Sequence, residues 1–191
     1  MDILIRPSIS SDIPHIIAAF DEAVIWLASK GQEGQWGTRP FSETRGEEKL
    51  VTKFEKDISG EGDEGKAWTA ELNGSFAGFI SVGTVRANYI LKTEEEKDGK
   101  ELFVKVLITN RKTAGKGVGP RLLDAARAYA THAHFDLMRV DCWRGPEGKQ
   151  GLIGFYEAYG FRRLREFEVP AEETPSGKSW QGQLLEINLS T

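Results

Sequence analysis

Cysteine and long apolar runs are scarce in this 191-residue sequence. Cys142 is the only cysteine, so no disulfide can form within the chain and cysteines cannot build a zinc site. No apolar run approaches the roughly 18 residues of a membrane-spanning helix. The amino terminus, MDILIRPS, lacks the basic segment and long apolar stretch of a signal peptide. These absences predict a cytoplasmic protein with no membrane partner.

An excess of positive charge is also missing. The chain has 25 Lys and Arg against 29 Asp and Glu, which gives a formal charge of −4 and a pI of about 5.5. Bulk nucleic-acid binding requires a basic face, so we predict no nucleic-acid partner. The length suits one domain covering residues 1–191, and apolar residues, at 39%, suffice for a core. Composition leaves a homodimer open.

Hydrophobic periodicity predicts elements in the order β-α-α-β-β-β-α-β-α-β-β, a mixed α/β fold around one sheet. The clearest local signal is a hairpin at Asn73-Gly74, because alternating apolar residues flank the turn. The acidic stretch from Thr93 to Lys100 is predicted to be a solvated turn. A first helix is expected between a cap at Ser11 or Asp12 and the glycines Gly31 and Gly34 that end it. Further helices are expected at about 45–57, after Pro120 and at 152–158, and further strands at 3–6, 102–109, 138–143, 161–169 and 184–189.

A glycine-rich turn follows the apolar strand 102–109. Gly115, Gly117 and Gly119 allow the backbone to approach a bulky anion, and the helix that follows offers unpaired N–H groups at its positive end. This combination favours a pyrophosphate site, with Arg111, Lys112 and Lys116 adding positive charge. The spacing fits neither a Walker loop nor a dinucleotide fingerprint. Alternatively, the turn is a plain connector.

Two motifs resemble the GNAT superfamily of acetyl-CoA-dependent N-acetyltransferases. Residues 114–123, AGKGVGPRLL, are similar to its acetyl-CoA motif, and residues 155–161, FYEAYGF, are similar to its Tyr-Glu-x-x-Gly-Phe signature. The chain departs from the family at Ala114, where Arg or Gln is usual, and at Lys149, where Asn is frequent. The resemblance implies a mixed, mostly antiparallel central sheet flanked by helices, with splayed fourth and fifth strands.

The same resemblance implies an acyltransferase that moves an acetyl group from acetyl-CoA directly to a primary amine, without a metal. Tyr156 is expected to protonate the departing thiolate. Glu101 is expected to act as the base, with Asp141 as a second candidate, and each of these carboxylates could instead be structural. The cofactor-binding residues are expected to be Leu107, Ile108, Thr109, Lys112, Ala114, Gly115, Lys116, Gly117, Val118, Gly119 and Tyr156.

The acceptor is predicted to be a small-molecule amine that contacts Trp36 and Trp143, with Phe41 and Tyr89 as further pocket candidates. These aromatics could also be ordinary core residues. Protein or peptide acetylation, a CoA sensor without turnover, and a nucleotide-binding enzyme are the alternatives. Cys142 lies in a predicted strand, and a buried cysteine is usually inert. His132 and His134 lie on different helix faces, so no metal pair is predicted.

Overall fold

A computed structural model describes residues 2–63, 65–94, 96–145, 151–174 and 176–190. Lys149 lies outside the described residues. The strands are β1 (Ile3–Pro7), β2 (Lys66–Leu72), β3 (Ser75–Gly83), β4 (Glu101–Thr109), β5 (Leu137–Trp143), β6 (Arg162–Val169) and β7 (Trp180–Asn188). The helices are α1 (Ile13–Ser29), α2 (Phe41–Arg45), α3 (Glu47–Ser59), α4 (Val118–His132) and α5 (Gly151–Tyr159).

The strands form one seven-stranded sheet in the order β1-β2-β3-β4-β5-β7-β6. Among the strands of the described residues, only the β4–β5 pair is parallel, which confirms the predicted mixed, mostly antiparallel sheet. The predicted hairpin joins β2 to β3, and its turn residues Asn73 and Gly74 have φ of 52° and 77°. Both values lie in the left-handed region that a type I′ turn requires. No helix among the described residues is long and apolar enough to cross a bilayer.

The helices cover both faces of the sheet. On one face, α4 packs on β1 to β4 and α5 packs on β5 and β6, through a cluster that includes Leu102, Val104, Leu122 and Ile153. On the other face, α1 and α3 pack on β3 and β4 through a cluster that includes Ile16, Phe20, Phe54, Phe79 and Ile108. The apolar face of α1 is therefore the surface that it buries.

The sequence pattern does not predict helix α2. Helix α2 has five residues, too few to be stable on local propensity. Asp21 of α1 stabilises the first turn of α2. Its Oδ1 accepts a hydrogen bond from the Ser42 amide at 2.8 Å, and its Oδ2 accepts one from the Ser42 hydroxyl at 2.7 Å. Two predicted boundaries also move, because α4 already begins at Val118 and β7 at Trp180.

Strands β4 and β5 separate partway along their length. They pair from Glu101 opposite Leu137 to Val104 opposite Val140. Beyond that point β4 continues along β3 to Thr109, while β5 continues along β7 to Trp143. The separation coincides with a bulge, because Val82 pairs with Val104 and Ser81 with Val106, which leaves Lys105 as an extra residue. A bulge bends its strand, and the predicted splay is confirmed.

A buried ion network joins the paired ends of β4 and β5. Arg139 of β5 is fully buried and donates to Glu96 at 2.9 Å, to Glu186 at 3.1 Å and to Glu101. Arg86 donates to Glu101 at 2.7 and 2.8 Å and to Glu96 at 2.6 Å. A buried guanidinium requires such partners, because an unpaired charge inside a protein is costly. The network attaches the β3–β4 connection to the sheet.

Glu96 corrects the expectation of a fully solvated acidic turn. Glu94 is exposed, but Glu96 is buried inside the ion network. Burial alone would raise the pKa of Glu96, yet hydrogen bonds from Arg86 and Arg165 hold it down at about 2. Arg139 and Arg165 lie on β5 and β6, 43 and 69 residues from Glu96, so the local sequence cannot reveal their pairing with it.

The network predicts a stability loss for Glu101→Gln. The substitution removes a carboxylate that faces both Arg139 and Arg86, leaving buried positive charge uncompensated. We expect the free energy of unfolding to fall by about 2–3 kcal/mol in urea titrations. Glu94→Gln, which neutralises an exposed carboxylate in the same connection, should change it by less than about 0.5 kcal/mol. Equal effects of the two variants would contradict a structural role for Glu101.

Candidate functional site

The glycine-rich turn leads directly into the first turn of α4. Residues 111–113 form a single 3-10 turn, where the Asn110 side chain accepts a hydrogen bond from the Lys112 amide at 2.9 Å. Gly115 and Gly117 have φ of 77° and 80°, and Gly117 is the N-cap of α4. Space would allow a Cβ at both positions, so it is the left-handed backbone that favours glycine there. The turn thus brings main-chain N–H groups to the positive end of α4.

A groove lies beside this turn, and we call it the loop groove. It has a volume of about 440 Å³ and runs between the turn, the open end of β4 and α5. Eight of the predicted cofactor-binding residues line this groove: Leu107, Thr109, Ala114, Gly115, Gly117, Val118, Gly119 and Tyr156. The Ile108 side chain instead packs in the core on the opposite face of the sheet, beside Phe79.

Of the three predicted cations, only Arg111 lines the loop groove. Its guanidinium carbon lies 3.6 Å from the centroid of the Trp26 ring, which places the charge against the aromatic face. Trp26 lies on α1 and remains 38% exposed. Lys112 and Lys116 are exposed on the turn and are not among the groove-lining residues.

A second cavity opens between the separated ends of β4 and β5, and we call it the strand cleft. It has a volume of about 260 Å³. Lys105, Val106 and Leu107 form one wall and residues 140–143 the other. The four aromatic residues predicted from the sequence to form the pocket all line this cleft: Trp36, Phe41, Tyr89 and Trp143. Phe20 and Trp180 line it as well. Trp36 contacts the rings of Phe20 and Phe41 at centroid distances of 5.2 and 5.4 Å.

Tyr156 lies where the two cavities meet. The loop groove and the strand cleft share three residues: Leu107, Leu152 and Tyr156. Phe155 and Phe161 pack edge-on against the Tyr156 ring at centroid distances of 5.1 and 5.5 Å. Burial raises the pKa of the Tyr156 hydroxyl above its ordinary value, so the group is protonated at neutral pH.

Asp141 is the carboxylate that the strand cleft presents on β5. Its Oδ2 accepts a hydrogen bond from the Tyr89 hydroxyl at 3.3 Å. No Lys or Arg in the described part of the chain forms a salt bridge with it. Burial therefore raises the pKa of Asp141 to about 6. Such a group is ionised near neutral pH and basic enough to accept a proton.

Glu101, the expected base, lies away from both cavities. It lies at the paired end of β4, where its carboxylate faces Arg86 and Arg139, and it is not among the lining residues of either cavity. The arrangement does not support a catalytic role for this residue. Sequence alone placed Glu101 and Asp141 on neighbouring strands, but only the register shows which of them reaches the open end.

Cys142 and the histidines contribute no reactive group to this arrangement. Burial raises the pKa of the Cys142 thiol to about 12, so the thiol is protonated at neutral pH. Within residues 2–63, 65–94, 96–145, 151–174 and 176–190, no group of three or more His, Cys, Asp or Glu side chains could hold a metal ion.

Comparison with solved structures shows the fold in many other proteins. An N-acetyltransferase from Staphylococcus aureus Mu50 superposes with a TM-score of 0.70 at 15% identity, over 100% of both chains. A putative acetyltransferase from Salmonella typhimurium, solved with acetyl-CoA, gives 0.65 at 17% identity over 98% of this chain and 94% of that one. A phosphinothricin acetyltransferase from Sinorhizobium meliloti in complex with acetyl-CoA gives 0.69 at 17% identity, over 100% and 90%.

Sequence comparison assigns the family. A search of curated protein sequences found no match. Residues 24–161, however, match the model of the acetyltransferase (GNAT) family, and this range covers most of the chain and contains both motifs. The chain therefore belongs to the GNAT acetyltransferase family, and it is an acyltransferase.

Proposed function

We propose that the chain transfers an acetyl group from acetyl-CoA to a primary amine of a small molecule. The observation that carries this proposal is the position of Tyr156, which borders both the loop groove and the strand cleft. A donor in one cavity and an acceptor in the other would meet at this hydroxyl. Complexes of two structural neighbours with acetyl-CoA support the choice of donor.

The loop groove suits the diphosphate and pantetheine parts of CoA. Main-chain N–H groups between Gly115 and Gly119 would bind the diphosphate at the positive end of α4. Arg111 Nε is buried and has no hydrogen-bond partner among the described residues, so a phosphate oxygen would satisfy it. Arg111 would then supply the charge that Ala114 cannot. The open edge of β4 at Leu107–Thr109 would pair with the pantetheine amides.

In the proposed reaction, the neutral amine attacks the thioester carbonyl, the C–N bond forms, and the C–S bond breaks. Asp141 accepts the proton that an ammonium substrate must lose before attack. Tyr156 donates its proton to the departing sulfur and regains one from the attacking nitrogen. Main-chain N–H groups at the open edge of β4 stabilise the oxyanion, a contribution typically worth a few kcal/mol.

Enclosure of the strand cleft favours a small acceptor over a protein. The loop between β6 and β7 is tied to the segment that carries Trp36: the Ser176 hydroxyl donates to the Gly34 carbonyl at 2.7 Å, and Lys178 pairs with Glu33 at 3.8 Å. The cleft volume of about 260 Å³ also lies just below the range of about 300–1,000 Å³ that is usual for small-molecule sites, which favours a small acceptor.

Tyr156→Phe tests the catalytic proposal. Losing the proton donor should lower kcat at least about 100-fold, while the Kd for CoA stays within about twofold. Thiol release from acetyl-CoA with an amine library measures the first quantity, and calorimetry measures the second. Tyr159→Phe is the matched control, because this tyrosine lies on the same helix, donates to Asp124 at the surface and lines neither cavity.

The outcomes separate the alternatives. Full turnover in Tyr156→Phe would contradict the acid role. If the wild-type chain binds CoA and acetylates no amine, it is a sensor and not an enzyme of the proposed kind. Activity restricted to peptides would replace the small-molecule acceptor by a protein.

The pH dependence tests Asp141 as the base. Only the ionised carboxylate accepts a proton, and its pKa is about 6. For an alkylamine acceptor, kcat/KM should therefore fall about tenfold per pH unit below pH 6 through this group. Asp141→Asn should lower kcat/KM at pH 8 about 100-fold and abolish this acidic limb. Glu101→Gln, assayed under conditions in which the variant is folded, should retain the acidic limb of kcat/KM.

Stability provides the second measurement on Asp141. The folded pKa of about 6 lies above the unfolded value of about 3.9, so the folded state binds the proton more tightly. Ionisation of Asp141 therefore lowers the free energy of unfolding above pH 6. Below pH 4 it has no such effect, because the carboxyl group is then mostly protonated in the folded and the unfolded chain. Asp141→Asn should raise the free energy of unfolding by about 1–3 kcal/mol at pH 8, and this increase should vanish below pH 4. A loss of stability at pH 8 would contradict the account.

The stacked guanidinium predicts a role for Trp26 in CoA binding. Trp26→Ala removes the ring that holds Arg111 in the loop groove, a contact worth about 0.5–2 kcal/mol. The Kd for CoA, measured by calorimetry, should rise about threefold to tenfold. Trp36→Phe, on the acceptor side, should leave this Kd unchanged. No change with Trp26→Ala would mean that Arg111 does not contact CoA.

A further inference from the structure

The charges around the strand cleft are unevenly paired. Lys53 and Lys105 both line it, and both bind Asp57, at 2.5 and 2.8 Å. Arg45 also lines it, but in the part of the chain that the structure describes it forms no salt bridge. Its guanidinium carbon lies 5.7 Å from the centroid of the Phe41 ring. Arg45 is therefore a cation available to a ligand in this cleft.

The fold holds Arg45 at this place. Arg45 is the last residue of α2, and the hydrogen bonds from Ser42 to Asp21 fix this short helix on α1. Phe41, at the other end of α2, packs against Phe20 at a centroid distance of 5.0 Å. Sequence propensity does not account for a helix here, so these tertiary contacts position the guanidinium.

Arg45 and Asp141 both influence the Tyr89 hydroxyl. The Tyr89 hydroxyl donates to Asp141 at 3.3 Å. Burial and Asp141 raise the pKa of Tyr89, and the positive charge of Arg45 opposes them. Arg45, which forms no salt bridge among the described residues, and Asp141, which has no cationic partner there, therefore line the same aromatic cleft as Tyr89.

This arrangement complements a molecule that carries charges of both signs. An ammonium group would face Asp141, and a carboxylate would pair with Arg45, whose planar fork binds carboxylates through two hydrogen bonds. Glu173 lines the cleft from the loop after β6 and would repel a carboxylate from that wall. The rings of Phe20, Trp36 and Trp143 provide apolar surface for the remainder of the molecule.

We propose that the acceptor is a small amino acid-type zwitterion, whose amine faces Asp141 and whose carboxylate is bound by Arg45. This inference rests on the proposed function and adds the class of substrate. Arg45 sets specificity in this account and takes no part in bond making.

Matched acceptors test this proposal. L-leucine, L-methionine and L-phenylalanine would each be compared with the corresponding amide and the decarboxylated amine, with thiol release from acetyl-CoA as the assay. For at least one series, the wild-type kcat/KM for the amino acid should exceed that for the amide about 30-fold. Arg45→Gln should lower kcat/KM for the amino acid about 10- to 100-fold and change the amide value less than about threefold.

Two variants control for charge and geometry. Arg39→Gln removes an exposed positive charge a few residues before α2 that does not line the cleft, and it should preserve the preference for the amino acid. Arg45→Lys retains the charge without the planar fork and should restore part of the preference.

The proposal is overturned if the wild-type chain uses amino acid, amide and amine equally, or if Arg45→Gln lowers all three values together. Acetylation of other amines but of none of these amino acids would also overturn it, while leaving the proposed function intact. Absence of turnover with every amine would contradict the proposed function as well.

Discussion

The separation of β4 from β5 is the constraint on which the site depends. One extra residue in β4, Lys105, interrupts the register with β3 just where the pairing with β5 ends. Its ammonium group is held by Asp57 at 2.8 Å and by Asp63 at 3.4 Å, so the bulge is fixed by charges on and after α3. Without this separation, β4 would pair along its whole length and no cavity could form between the strands.

The two ends of the β4–β5 pair have opposite character. The closed end is joined by the charge network around Arg139, which binds side chains from β4, from β7 and from the connection before β4. The open end is lined by aromatic rings and by Asp141, the carboxylate that β5 contributes. The ion pairs of Arg139 hold the two strands together at the closed end, and the strands separate beyond Val104 and Val140.

Local patterns predicted the elements whose cause is local. Asn73-Gly74 identified the hairpin because the turn itself requires left-handed φ, and Gly115 and Gly117 identified the turn before α4 for the same reason. Long-range contacts determine the features that local patterns did not predict. Helix α2 depends on Asp21, and the burial of Glu96 depends on arginines up to 69 residues away. The choice between Glu101 and Asp141 depends on strand register, which spacing along the chain does not encode.

The central claim is that the turn at 114–119 binds the diphosphate of CoA and thereby brings the thioester to Tyr156. A crystal structure of the chain with CoA tests it most directly. The account predicts diphosphate oxygens about 3 Å from main-chain N–H groups between Gly115 and Gly119, with the sulfur beside the Tyr156 hydroxyl between the separated strands. A diphosphate bound elsewhere, or a sulfur remote from that hydroxyl, would contradict it.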